Sequence, residues 1–223
     1  MITLSENPLI RAYNCDCMTF MAGLPDKAYE LAIVDPPYGL EATGNLSRMN
    51  RAGKLKNRAI NTMSTEFDRT PPPPQYFTSL FRICGNQIIW GGNYFSLPPT
   101  RGIVVWDKYQ PWPNFSALEM AWTSFDTPAK LFRYCKGQEK VIHPTQKPVA
   151  LYRWLLTNYA KPGQRIIDTH GGSFSSAIAC WHEGYDMDIC EIDSEYFGAA
   201  CERFEREPRQ QKLFNPQSLC ASV

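Results

Sequence analysis

Residues 165–193 read RIIDTHGGSFSSAIACWHEGYDMDICEID, and the reading of this stretch decides the fold. Arg165 to Ile167 is a short apolar strand running into Asp168 and a turn that contains Gly171-Gly172. A helical pattern follows from Ser173 to Glu183, then a strand from Met187 to Ile192 and a last helix from Ser194 to Glu205. Two strands joined through a helix are parallel neighbours, because the helix carries the chain back to the starting end of the sheet. Glycines in the turn allow a ligand to approach the backbone closely, and the helix start offers unpaired N–H groups. Glu191 and Asp193 stand about twenty residues on, where nucleoside-binding βαβ units grip ribose hydroxyls.

Working outward, Pro148 opens a helix in which Leu151, Trp154, Leu155 and Tyr159 share one face, and Lys161-Pro162-Gly163 stops it. Further upstream, Glu30–Val34, Gln87–Trp90, Gly102–Trp106, Met120–Phe125 and Lys130–Tyr134 read as strands, and Gln75–Ile83 as a helix. Pro71 to Pro74 is expected to be an extended connector outside any helix. Gly39 to Thr70 is polar and aperiodic, so 39–74 reads as a mobile loop and proline linker. Strands alternating with helices give a single α/β domain over 1–223, with a doubly wound, mostly parallel sheet and an antiparallel hairpin from the middle strands.

Composition narrows the class. With 223 residues, 43% hydrophobic and 20% charged, the chain suits one well-cored globular domain. No basic-then-apolar leader and no apolar run of about 18–20 residues is present, which predicts a cytoplasmic location. The eight cysteines include no C-x-x-C pair and are expected to be reduced, packed thiols, with no metal site.

The chemistry concentrates in Ala32-Ile33-Val34-Asp35-Pro36-Pro37-Tyr38-Gly39. A buried strand delivers a carboxylate, two prolines and an aromatic ring to its C-terminal end, where open α/β sheets place ligands. The prolines fix φ twice and leave rigid backbone carbonyls free to accept. A carboxylate and a carbonyl beside an aromatic plate suit an aminated heterocycle, its NH₂ donating to Asp35 and to the Pro36 carbonyl with Tyr38 stacked on the ring.

This segment resembles the D-P-P-Y motif of DNA amino-methyltransferases. Asp168-Thr-His-Gly-Gly-Ser173 is similar to the cofactor motif of that family, D-P-F-x-G-S-G-T, but Thr169-His170 replaces Pro-Phe and Phe174 replaces the last glycine. His143-Pro-Thr-Gln-Lys-Pro148 is nearly identical to the signature that walls the methionine part of the cofactor. Gln87–Phe95 and Val104–Lys108 extend the likeness through most of Glu30 to Phe204. With D-P-P-Y first and the cofactor motif last, the order is the permuted one of the β class, and the look is that of small phage or prophage enzymes. The resemblance implies a Rossmann-like methyltransferase fold with a cofactor-binding half at 143–206. It also implies S-adenosylmethionine as cofactor and direct attack by the amine with no covalent enzyme intermediate. Asp35, Pro36, Pro37 and Tyr38 become the catalytic candidates. Asp168, His170, Gly171, Gly172, Ser173, Glu191, Asp193, His143, Thr145, Gln146 and Lys147 become the cofactor-binding candidates.

The DNA-facing candidates are Arg48, Arg51, Lys54, Lys56 and Arg58, which lie between Glu41 and Glu66 with no acid among them. They could neutralise phosphates of double-stranded DNA, from which the target base must be extruded. N6 of adenine is the expected target. N4 of cytosine stays open, as do a catalytically impaired DNA binder, a non-DNA substrate, a homodimer and a restriction partner. C5-cytosine chemistry is discarded because no Pro-Cys motif is present.

Overall fold

The computed structural model describes residues 1–39, 70–109, 116–135 and 141–211, the last four by backbone alone. The expected mobile loop, with Arg48, Arg51, Lys54, Lys56 and Arg58, lies almost wholly outside the described residues. In chain order the strands are β1 (Ile2–Glu6), β2 (Leu9–Asn14), β3 (Tyr29–Val34), β4 (Cys84–Trp90), β5 (Ile103–Asp107), β6 (Leu118–Thr123), β7 (Lys130–Arg133), β8 (Ile166–Asp168) and β9 (Met187–Glu191). The helices are α1 (Cys17–Ala22), α2 (Pro74–Ile83), α3 (Val149–Tyr159), α4 (Ser175–Glu183) and α5 (Ser194–Gln211), with a 3₁₀ turn at Gly92–Tyr94.

All nine strands join one sheet in the order β1-β2-β9-β8-β3-β4-β6-β5-β7. The run from β2 through β9, β8 and β3 to β4 is parallel throughout, and β6 lies antiparallel to both β4 and β5. This is the expected doubly wound sheet with its antiparallel middle strands. The sheet is covered on both faces, as a parallel sheet must be. On β3, Leu31 and Ile33 join the core under α3, α4 and α5, while Ala32 and Val34 join the core under α1 and α2. A strand buried on both faces explains why Leu31 to Val34 is an unbroken apolar run.

Three boundaries differ from the sequence reading, each for a local reason. Pro74 is the first residue of α2, where its missing N–H leaves no hydrogen bond unmade. The helix expected from Ser173 begins at Ser175, because Phe174 adopts a left-handed φ of 58° just before it. The sequence reading overlooked the β1–β2 hairpin and α1. In β2 the buried Ile10 and Ala12 alternate with more exposed neighbours, and Asp16 caps α1 by accepting from the Thr19 N–H at 2.8 Å.

The connections place the site. From β3 the chain moves through α2 to β4 on one side, and from β8 it moves through α4 to β9 on the other. Between adjacent β3 and β8 the winding reverses. Ligands of open α/β sheets bind in the crevice beyond the strand ends at such a point.

Candidate active site

A cavity of about 530 Å³ lies at this crevice, within the usual range for small-molecule sites, about 300–1,000 Å³. Asp35, Pro36, Pro37 and Tyr38 line one end, and His170, Gly171, Gly172, Ser173, Glu191 and Asp193 line the other. His143, Thr145, Gln146 and Lys147 form part of the wall. The three motifs, widely separated in the chain, thus meet around one space.

Asp168 is the exception among the named residues. It is 1% exposed, sits beneath the turn and is not among the lining residues. Its carboxylate accepts from the His170 N–H at 3.0 Å and from the Ser176 hydroxyl at 2.7 Å. Burial pushes its carboxyl up to about 7 against those two donors. Its work is to shape the turn. His170 contacts the Thr169 hydroxyl at 3.0 Å and packs edge-on to Tyr76, and burial holds its imidazole down to about 4.

Glu191 is held by main-chain donors. Its carboxylate accepts from Gly172 N–H at 2.7 Å and Asp193 N–H at 2.9 Å, which tie the end of β9 to the glycine turn. Burial raises its carboxyl despite those amides. Asp193 turns its own side chain to the start of α5, accepting from the N–H groups of Glu195 and Tyr196 at 2.8 and 3.0 Å. Gly172 has a φ of 51°, and a Cβ there would lie 3.4 Å from His143 Nδ1. The motif that this turn resembles has glycine where Phe174 stands, and the left-handed φ supplies the reason. Phenylalanine accepts that conformation at a cost of roughly 1–2 kcal/mol. Its ring is fully buried and edge-on to Phe197 at 5.8 Å, which offsets the strain.

Asp35 is held differently. Its Oδ1 accepts from the Tyr38 hydroxyl at 2.6 Å, and its Oδ2 pairs with the Lys147 ammonium. Burial raises the Asp35 carboxyl, while Lys147 pulls it down. Tyr38 stacks on Tyr94 with ring centres 5.0 Å apart and planes 21° from parallel. Gly91, with φ 68°, makes room for that ring, because a Cβ there would run into it.

Sequence reasoning missed several residues at the site. Cys15, Asp16 and Cys17 line the cavity because the overlooked β2 lies beside β9. Ile192 (68% exposed), Tyr152 and Tyr196 also face it. Glu119, whose Oε2 is 3.1 Å from Lys147 Nζ, had no sequence signal: β6 runs two residues past its last pairing with β4 to bring it there.

With this geometry in view, comparison with known proteins decides the family. A family model described as DNA methylase, for N6 and N4 methyltransferases, matches residues 89–202, more than half of the chain. The chain belongs to the N6/N4 DNA methylase family. Solved structures of similar fold include an M1.HpyAVI complex with S-adenosylmethionine, at 17% identity and TM-score 0.57, covering 87% of this chain and 98% of that one. The cytosine-N4-specific PvuII DNA methyltransferase matches at 13% identity and TM-score 0.57, with 88% and 86% covered. The DNA modification methylase TTHA0409 of Thermus thermophilus, in complex with S-adenosyl-L-methionine, matches at 16% identity and TM-score 0.54, with 88% and 93% covered.

The methyl donor of the family is S-adenosylmethionine, and the residues of the cavity fit it. Glu191, fixed by two N–H groups, keeps carboxylate lone pairs for the two hydroxyls of a ribose. Ile192 beside it exposes an apolar side chain suited to a purine face. Among the described residues no cluster of His, Cys, Asp and Glu could hold a metal ion, and no helix is long and apolar enough to cross a membrane.

Proposed function

We propose that this protein transfers the methyl group of S-adenosylmethionine to N6 of an adenine extruded from double-stranded DNA. The observation that carries the reading is the position of Asp35 and Tyr38, at the end of β3 and across one cavity from Glu191 and the glycine turn. The bound cofactor supplies an electrophilic methyl group at that cavity. Asp35 accepts one hydrogen of the target amine, the Pro36 carbonyl accepts the other, and the lone pair is left aimed across the cavity. Tyr38 offers its ring to the base. Positioning of this kind, in a site closed to bulk water, is enough to speed a direct displacement.

The Tyr38 hydroxyl occupies Asp35 Oδ1 in the ligand-free protein, so the amine takes the place of that hydroxyl when the base arrives. The basic residues Arg48, Arg51, Lys54, Lys56 and Arg58 would meet DNA phosphates, which predicts binding that weakens steeply with salt. Cysteine-free chemistry at an aspartate serves an N4-cytosine amine by the same geometry. The likeness to the PvuII enzyme keeps that second reading in view.

The test is incubation with mixed-sequence DNA and methyl-labelled S-adenosylmethionine, followed by digestion to nucleosides and mass analysis. Labelled N6-methyladenine is the expected product. Labelled N4-methylcytosine would correct the base and keep the mechanism. Absence of any labelled nucleoside from a protein that binds the cofactor would overturn DNA as the substrate.

A further inference from the structure

Lys147 belongs to the segment expected to wall the cofactor, yet its ammonium is committed to carboxylates. It is 3% exposed, pairs with Asp35 Oδ2 and lies 3.1 Å from Glu119 Oε2. Lys108, just after β5, pairs with the other oxygen of Glu119. Asp35, Lys147, Glu119 and Lys108 therefore form an alternating row of charges drawn from four separate segments, neutral in sum. The ammonium also stands 5.3 Å from the Trp90 ring centre and 5.9 Å from that of Tyr38.

Taking an ammonium and two carboxylates out of water is costly, and packed apolar side chains of similar volume commonly serve stability as well or better. A purely structural account of Lys147 is therefore weak. Its contact with the one carboxylate that the amine needs supplies a different reason.

From the geometry we infer that Lys147 is a positioning residue that holds Asp35 as an oriented, ionised acceptor, and that Glu119 fixes the ammonium in that task. This rests on the reading of Asp35 as the acceptor for the target amine. A carboxyl that took up a proton would present an O–H toward the N–H groups it must accept from, and a carboxylate free to rotate would present neither oxygen reliably. Lys147 occupies Oδ2, which leaves Oδ1 for the amine. Glu119 divides the ammonium's charge between two carboxylates, so Asp35 stays basic enough to accept strongly.

Several groups face Asp35 from the packed elements. They are Lys147 from the segment before α3, Glu119 from β6, Tyr38 from its own turn, Tyr152 from α3 and Asp168 from β8. Among these described neighbours, Lys147 is the one positive charge. Burial of the Lys147 ammonium acts to lower its proton affinity, and Asp35 followed by Glu119 outweighs that and raises it. The ammonium thus stays charged wherever the enzyme works.

The experiment follows the Asp35 carboxyl by ¹³C NMR in cofactor-free and DNA-free protein, its signal assigned by loss in Asp35→Ala. Single-turnover methylation rate against pH and the dissociation constant of S-adenosylmethionine are measured alongside. Lys147→Met leaves two buried carboxylates without their shared cation, so the charge-balanced Lys147→Met/Glu119→Gln variant is made with it, and Lys147→Arg serves as rescue. We expect the Asp35 midpoint to rise by about 1–3 pH units in both methionine variants. The acid limb of the rate should move with it, the rate at pH 7 should fall roughly 100-fold, and arginine should restore the midpoint. An unmoved midpoint in the folded double variant, or a loss of rate matched by weaker cofactor binding, would overturn the inference and return Lys147 to the cofactor wall. Wild-type protein that methylates no DNA would overturn the acceptor reading itself. The midpoint decides separately whether Lys147 sets the ionisation of Asp35.

Discussion

Asp35 and Glu191 are two acidic residues on one cavity, each at or just beyond the end of a parallel strand, and they are secured by opposite means. Glu191 is gripped by the N–H groups of Gly172 and Asp193, which no side-chain substitution removes. Asp35 is gripped by the side chains of Tyr38 and Lys147, which come from its own turn and from a segment far along the chain. The backbone arrangement gives a fixed acceptor pair for a partner that always has the same shape. The side-chain arrangement gives an acceptor that can exchange one partner, the Tyr38 hydroxyl, for an incoming amine. Binding and chemistry are thus assigned to the two kinds of support.

The largest test of that division is to remove each carboxylate in turn. Asp35→Ala should lower kcat by roughly 10³-fold or more while S-adenosylmethionine still binds. Glu191→Ala should instead weaken cofactor binding by about 10–100-fold, the worth of one or two hydrogen bonds to a charged group. Calorimetric titration with the cofactor, run beside single-turnover rates, separates the two. Parallel losses in both quantities from both variants would erase the distinction.

A smaller effect is expected from Tyr38→Phe, which keeps the ring and removes the hydroxyl from Asp35 Oδ1. A change in kcat within about tenfold, with cofactor affinity unaltered, matches a partner that leaves during the reaction. A loss as large as that of Asp35→Ala would make the hydroxyl part of the chemistry. Smaller again is Asp193→Ala, which preserves the N–H that holds Glu191 but uncaps α5. Denaturant unfolding should show a loss of about 1 kcal/mol, and the cofactor dissociation constant should shift far less than in Glu191→Ala.

The weakest expected signal concerns the buried pair beside the turn. Asp168, raised to about 7 in the folded protein, contributes stability that is present below its unfolded value near 4 and is lost as pH rises through 7. His170, lowered to about 4, acts oppositely: its contribution is present above 6.5 and is lost as pH falls toward 4. The two slopes oppose each other between pH 4 and 6.5. Replacing His170 with Phe should uncover the Asp168 slope, so that the urea midpoint at pH 5 gains on that at pH 7 relative to wild type. An unchanged difference between those midpoints would show that His170 is already protonated or solvated at pH 5.

Most of the frame was legible because its signals are local. The apolar run into Asp35, the Pro148 helix start and the strand-turn-helix at 165–183 each carry their own punctuation, so both ends of the cavity could be named from the sequence. What escaped reading depends on register between distant strands. Nothing near Glu119 or Lys108 announces that pairing of β6 with β4 and β5 will bring them to Lys147. The expectation for Lys147 itself came from a motif, which named the right wall of the cavity without the direction of the ammonium. Asp16 and Cys17 escaped because the β1–β2 hairpin, too short to stand out, was not seen.

Gly171 and Phe174 are bound by a shared volume. A Cβ at 171 would meet the Phe174 ring at 2.6 Å and Ile189 Cγ1 at 2.8 Å. The order of change open to a descendant of this sequence is therefore set by one ring. A side chain at 171 can be accepted only after the ring at 174 has shrunk and Ile189 has gained room to turn aside. The departure from glycine at 174 thus closes the route to variation at 171 for as long as it is kept, and substitutions at the two positions should be found together or not at all.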